Sequence, residues 1–380
     1  MGPRQRRTRP AKPRSGLIRT SLLLLSAAVL GAACSAGPPA PSVAPTASAP
    51  GLPTASPSGI PTASPSVAAP SPSVSASPRA SAAAPSPSLA ETGFPVTLTD
   101  DEGTEVTLEA PPERVISLSP ANTEIVFALG AGDSLVGGTD FDDFPAEAVD
   151  LPDVATFTGV LLEQVVDLDP DLVLAAGNAF TPAADIQRMR DLGFPVLVVY
   201  AETVDAVLSD IELISQAIGR PEAATDLTAD MRDRIEEVTE ATGASGQAPR
   251  VFYQIGSEPE FYGPAPGSFI ADMVELAGGD PITTSDPTVF SIPVERLVTA
   301  DPEIIVVGDA AYGVCPEQVA ARPGWRQMTA VREGAVRPID DTIVTRPGPR
   351  LAEGLASLAV AIDPDIELAS PPPPVTFCGS

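Results

Sequence analysis

The sequence predicts an α/β protein: two related lobes, each with a mainly parallel sheet, bridged by one long α-helix, with a ligand cleft between the lobes. Three observations predict it. A pattern recurs, first as Glu163-Gln-Val-Val-Asp-Leu-Asp169-Pro170-Asp171-Leu-Val-Leu and again as Glu295-Arg-Leu-Val-Thr-Ala-Asp301-Pro302-Glu303-Ile-Ile-Val. Between the copies, Leu227, Met231, Ile235 and Val238 recur at helical spacing. Aromatic residues, only 4% of the chain, gather in Gly- and Pro-rich loops in both halves.

The body is preceded by two segments of other character. Residues 1–34 read as an export signal: Arg4, Arg6, Arg7, Arg9, Lys12, Arg14 and Arg19 precede a short apolar run from Leu22 to Leu30. That run is too short for a spanning helix, which needs about 20 apolar residues. Gly31-Ala32-Ala33-Cys34 resembles the lipobox of bacterial lipoproteins, with Gly31 where Leu is usual. Cys34 is then the lipidated first residue of the mature chain; ordinary cleavage beside an incidental Cys is the alternative. Residues 35–90 are Pro, Ser, Ala and Thr with no acid and no aromatic. Such a stretch cannot bury enough apolar surface to offset its ordering entropy, so it reads as a disordered tether.

The charge is as uneven as the composition. Seven of the 22 basic residues lie in 1–34 and one, Arg79, in 35–90, which leaves 14 against all 50 acids in 91–380. A body this acidic does not bind nucleic acid. It suits a basic protein partner, or a salty habitat. The chain has no His, which removes Ser-His-Asp and Cys-His catalysis and His-ligated zinc or haem. Cys315 and Cys378 are the two cysteines of the body; an exported context favours one disulfide over two free thiols.

Each element of the body follows from local pattern. Phe94–Asp100 and Thr104–Glu109 flank Asp101-Glu102-Gly103 and predict a hairpin. Arg114-Val115 and Arg250-Val251 each open an apolar run, followed by a helical stretch and a Gly-rich turn at Leu129-Gly130 and Ala277-Gly278-Gly279. In each copy the recurring motif predicts a short helix, a break at Asp-Pro and a buried parallel strand. The bridging helix is predicted over 222–242, with Pro221 in its first turn and Gly243 ending it. The organisation expected is therefore 1–34 signal, 35–90 tether, 91–219 hairpin and N-lobe, 220–248 bridging helix, and 249–380 C-lobe and tail.

Open α/β lobes bind ligands beyond the carboxyl ends of their strands. Phe141, in Asp140-Phe-Asp-Asp-Phe-Pro145, and Phe157 fall there in the first lobe, and Phe261 and Phe290 in the second. Four such rings suggest a flat or apolar ligand, against the alternative that each plugs its own loop. Asp142 and Asp143 are a conceivable carboxylate pair, although adjacent acids more often form a solvated turn.

Arg114-Val-Ile-Ser-Leu-Ser-Pro-Ala-Asn122-Thr-Glu124, Leu129-Gly130, Val136-Gly137, Glu163 with Asp169-Pro170-Asp171, Ala277-Gly278-Gly279 and Arg346-Pro-Gly-Pro-Arg350 together resemble the extracytoplasmic binding proteins of ABC importers, in the cobalamin and iron-siderophore group. The resemblance covers 94–369. It implies two lobes on one bridging helix with limited hinge motion, and no enzyme activity. It places Phe141, Phe157, Phe261 and Phe290 against the ligand and matches Asp341 and Arg346 to a polar pair that meets the ligand's amide and phosphate edge. Arg350 is read as capping or supporting the lobe. Glu163 and Glu295 become the permease-docking residues, one on each lobe, where they otherwise simply begin a helix.

The expectation is a lipid-anchored, monomeric receptor on the outer face of the cell membrane. It has no intrinsic cofactor, carries cobalamin or an iron chelate as its transported ligand, and delivers it to an ABC permease dimer with its ATPase subunits. With no Lys in the body, anionic catecholate siderophores are disfavoured. Haem is the further alternative, with Tyr253, Tyr262 or Tyr312 as ligand. A surface sensor on the same fold and an enzyme are the readings from other classes.

Overall fold

The computed structural model describes residues 93–177, 180–246 and 248–378. The signal and tether segments, with Cys34, lie outside the described residues.

The hairpin comes first, as antiparallel β1 (Val96–Thr99) and β2 (Glu105–Leu108). Asp100 Oδ1 accepts the N–H groups of Glu102 and Thr104 and shapes the turn, and Gly103 closes it at φ 78°, where a Cβ would strain. The first lobe follows: β3 (Val115–Ser117), α1 (Pro120–Ala128), β4 (Leu135–Thr139), β5 (Asp153–Thr156), β6 (Gly159–Val160), α2 (Leu162–Leu168), β7 (Leu172–Ala176), α3 (Ala183–Asp191), β8 (Val196–Val199) and α4 (Val204–Ala217). Helix α5 (Pro221–Ser245) is the bridge. The second lobe is β9 (Arg250–Gln254), α6 (Phe269–Leu276), β10 (Asp280–Pro281), α7 (Val294–Ala300), β11 (Ile304–Val307), α8 (Pro316–Ala320), α9 (Thr329–Arg332), β12 (Val336–Pro338), α10 (Asp341–Thr345) and α11 (Leu351–Ile362).

The duplication is one of topology. The first sheet runs β6-β5-β4-β3-β7-β8 and the second β10-β9-β11-β12. The parallel set β4-β3-β7-β8 repeats as β10-β9-β11-β12. The first lobe adds β5, parallel to β4, and β6, antiparallel to β5.

The recurring motif folds alike in both places. Helices α2 and α7 end at Asp169 and Asp301, both left-handed at φ 43° and 47°. Arg114 Nε donates to the carbonyls of Leu168 (3.0 Å) and Asp169 (3.2 Å), and Arg250 Nε to those of Ala300 (3.0 Å) and Asp301 (3.1 Å). Each guanidinium thus satisfies the last carbonyls of a short helix, which the helix cannot do itself. Asp171 receives the Arg114 N–H and Glu303 the Arg250 N–H, tying the strand starts together.

The bridge is longer than the sequence pattern predicts. Gly243 stays helical, with nothing within 4 Å of where a Cβ would stand. Gly246, at φ 61°, ends the helix instead. Lacking a side chain does not stop a helix; adopting the left-handed conformation does.

Strand residues alternate between two cores. Leu172 and Leu174 of β7 and Ile304 and Val306 of β11 enter one cluster shared by both lobes and by Met231 and Val238 of α5. Val173 and Ala175 face a second cluster under the first sheet, and Ile305 and Val307 a third under the second. The chain end straps across this shared core. Ile366 and Leu368 pack against it, and the Ala369 N–H donates to Glu237 Oε1 of α5 at 2.6 Å. Phe377 enters the third cluster, and Cys378 is bonded to Cys315, with Cα atoms 5.5 Å apart.

Candidate ligand cleft

The loop after β4 and the segment after α10 touch, where Arg346 meets Asp143 and the Phe141 carbonyl. Three of the four phenylalanines stand open on their loops. Phe141, after β4, is 49% exposed, and Phe157, at the tip joining β5 to β6, is 91% exposed. Phe290, after β10, is 42% exposed. Phe261 differs. It is half-buried, its ring 5.1 Å from that of Trp325, with the Arg322 guanidinium 4.9 Å from its centroid. It is already engaged in the packing of its own lobe.

Two further rings stand exposed: Phe180, which the sequence reading passed over, and Tyr312, which it weighed only as a haem ligand. Phe180 is 84% exposed in the loop after β7, and Tyr312 is 83% exposed in the short 3-10 turn after β11. Thr181 props the Phe180 turn, its Oγ1 accepting the Ala176 N–H. A lone aromatic just after a buried strand is the signal that could have found Phe180. Of the tyrosines weighed as haem ligands, Tyr253 is buried and Tyr262 is half-buried between Gly256 and Ser291. Exposure singles out Tyr312.

The polar residues make a seam between the lobes. Glu124, on α1, is fully buried, and both its oxygens are used. Oε1 accepts from Arg346 Nη1 (3.1 Å) and Arg350 Nη2 (2.6 Å), and Oε2 from Arg350 Nε (2.8 Å). Arg346 also donates to Asp143 Oδ1 at 2.5 Å and to the Phe141 carbonyl at 3.5 Å. The Arg350 guanidinium lies 4.2 Å from the Phe144 centroid. Arg350 is thus spent within the protein, in a supporting role that reaches across to the first lobe. Burial alone would lower the Arg346 pKa, but the hydrogen bonds to Asp143 and Glu124 outweigh it and hold it above the ordinary value.

The loop acids are not a reactive pair. Asp142 is buried and knits the loop: Oδ2 accepts from the Thr139 N–H and Thr123 Oγ1, and Oδ1 from Thr139 Oγ1, all at 2.9 Å. A Cβ on Gly138 would lie 2.3 Å from Oδ2, so this approach requires glycine. Burial pushes the Asp142 carboxyl up, against the lowering pull of those bonds. The expectation of a solvated turn thus fails at Asp142, because the loop folds back over its own side chain. Asp341 is likewise spent within the protein. Its Oδ1 accepts the Tyr253 hydroxyl at 2.8 Å and its Oδ2 that of Thr345 at 3.2 Å, and burial raises its pKa. Behind Phe261, buried Gln254 joins Arg322 to Asp309, each at 2.5 Å, and Ser257 Oγ donates to Asp309 at 2.8 Å.

Glu163 and Glu295 occupy the first turns of α2 and α7, exposed, at matching places in the repeat. Among the described residues, no group of three or more His, Cys, Asp or Glu is placed to hold a metal ion.

A sequence model of the periplasmic binding proteins matches residues 115–342. An uncharacterised ABC transporter substrate-binding lipoprotein of Bacillus subtilis is 34% identical over 276 residues, 72% of this chain and 87% of that one. A cobalamin-binding protein of Halobacterium salinarum is 33% identical over 284 residues, 70% of this chain and 74% of that one. Among solved structures, the periplasmic vitamin B12-binding protein of Vibrio cholerae aligns with TM-score 0.59 at 28% identity, covering 66% of this chain and 97% of that one. A periplasmic haem-binding protein of Pseudomonas aeruginosa aligns with TM-score 0.59 at 26% identity, covering 68% and 96%.

Proposed function

The chain belongs to the periplasmic binding protein family, and from that premise we propose that it captures a corrinoid, cobalamin foremost, and hands it to an ABC permease. Its relatives are substrate-binding components of ABC importers that work outside the cytoplasm, and they are not enzymes. The finer reading rests on one observation: Phe141, Phe157 and Phe180 of one lobe and Phe290 and Tyr312 of the other are 42–91% exposed, all on loops or turns. Exposed rings on the loops of both lobes suit a binding surface, and a broad flat macrocycle gives each a face to cover. The corrinoid brings its own metal, so the protein need supply none.

In this reading Phe261 acts at one remove, as the floor under the second lobe's loops, and Asp341 and Arg346 shape the wall. Glu163 and Glu295 dock the two lobes onto two permease subunits, and charged docking points of this kind chiefly set register and association rate. Cys34 carries the anchor. The test is direct. Residues 91–380 mixed with cyanocobalamin are passed over a sizing column with visible absorbance recorded. Pink colour eluting with the protein, one per chain, is the expected result, and colourless protein overturns the corrinoid reading. Haem is the second reading, favoured by the exposed Tyr312 phenol. It is checked on the same column by a Soret band that Tyr312→Phe shifts.

A further inference from the structure

We infer that Glu124 sets the charge of the ligand that the cleft accepts: by binding Arg346 and Arg350 together from the opposite lobe, it reserves the cleft for uncharged or cationic chelates. This rests on the chelate-receptor reading above and names the ligand's charge class. The sequence pattern offered Arg346 to a phosphate edge of the ligand. The structure gives that guanidinium to two carboxylates instead, Glu124 at 3.1 Å and Asp143 at 2.5 Å. Arg350 is held by two parallel bonds to Glu124, the geometry in which an arginine is bound most tightly. Two guanidiniums therefore face two carboxylates, and the seam is locally neutral.

An anionic ligand that reaches Arg346 meets a guanidinium whose charge is already balanced by Glu124 and Asp143, so its net electrostatic gain there is small unless it displaces one of these carboxylates. Glu124 has no solvent to turn to, with its side chain 1% exposed, and a buried charge stripped of its partner is costly. Asp140, Glu258, Glu260 and Asp286 stand exposed on loops that follow β4, β9 and β10. Their field repels anions at short range and favours cations. An uncharged macrocycle escapes both effects and is held by the rings alone.

The experiment is equilibrium dialysis of the protein at neutral pH and low salt with three corrinoids of one shape. They are cationic aquocobalamin, neutral cyanocobalamin and an anionic cyanocobalamin monocarboxylate. The wild type is expected to bind the monocarboxylate at least about tenfold more weakly than cyanocobalamin, and Glu124→Gln to narrow that ratio to about threefold or less. Equal wild-type affinity for the anion and the neutral form overturns the inference, as does an unchanged ratio in Glu124→Gln. Should Glu124→Gln not fold, Asp143→Asn, at a half-exposed carboxylate, frees one side of Arg346 and must narrow the ratio in the same direction. Failure of all three corrinoids to bind sinks the corrinoid reading alone. The charge rule is then tested with cationic ferrioxamine B against an anionic ferric tris-catecholate. Preference for the tris-catecholate overturns it.

Discussion

The two lobes share a scaffold and differ in what their loops do. Both set four parallel strands in one order, both stop a short helix at a left-handed Asp before Pro, and both clamp that helix end with an Arg from the neighbouring strand start. Yet Phe157 of the first lobe projects almost wholly into solvent, whereas Phe261 of the second lies against Trp325 beneath Arg322. The scaffold is repeated because backbone hydrogen bonding dictates it.

The largest expected effect tests whether the two lobes dock alike. Reversing Glu163 and Glu295 to Arg together should abolish uptake while ligand binding survives in solution. Lost ligand binding would place these residues in the cleft instead. Next comes the contrast between the rings. Phe157→Ala should weaken ligand affinity about tenfold or more and leave the thermal midpoint nearly unchanged, as surface substitutions do. Phe261→Ala should do the reverse, costing about 2 kcal/mol of stability as its contacts with Trp325 and Arg322 vanish. Denaturant melts beside binding titrations separate the two, and equal behaviour would erase the distinction drawn here. Smaller still, Arg114→Ala and Arg250→Ala should each cost about 1–2 kcal/mol and by similar amounts, if the clamps are equivalent.

A separate test, of pH dependence, concerns a buried acid of the first lobe. Burial, with the Asp101 charge beside it, pushes Asp210 of α4 up to about 8 from an ordinary 3.8. An acid whose pKa is raised by folding adds stability below its unfolded value and loses it as pH climbs to the folded one. Stability should therefore fall between about pH 4 and pH 8 and then level off. Asp210→Asn should melt increasingly above the wild type across that window, by a few degrees at pH 8. A pH-independent difference would contradict the shift.

The scaffold was legible in the sequence because it is written locally. The Glu-to-Asp-Pro motif, the spacing along α5 and the turn at Asp101-Glu102-Gly103 each fix structure over a few residues. The site was legible only in part. That Phe141, Phe157 and Phe290 lie on open loops followed from their places after strands. That Phe261 is occupied could not, since Trp325 is distant in sequence and nothing local joins them. The seam is more remote still: Glu124 meets Arg346 across 222 residues. Ion pairs between lobes leave no periodic trace, so Arg350 read as a local support and Arg346 as a free hand. Asp142 was misread for a related reason, because its burial depends on Gly138 and Thr123 closing over it.

The edges of the two sheets have a consequence for how the protein behaves when crowded. Beside β8, Asp101 donates its N–H to the Val198 carbonyl and Asp100 accepts the Val198 N–H, so the hairpin turn occupies that edge. At the other end of the first sheet, β6 is two residues long. In the second sheet, β10 is two residues including Pro281, and β12 three including Pro338. Proline cannot donate to a ladder, and so short a strand offers a neighbouring chain almost nothing to pair with. Neither sheet presents a free template for strand addition. Copies at high concentration therefore find no open strand edge on either sheet from which to nucleate intermolecular β-structure.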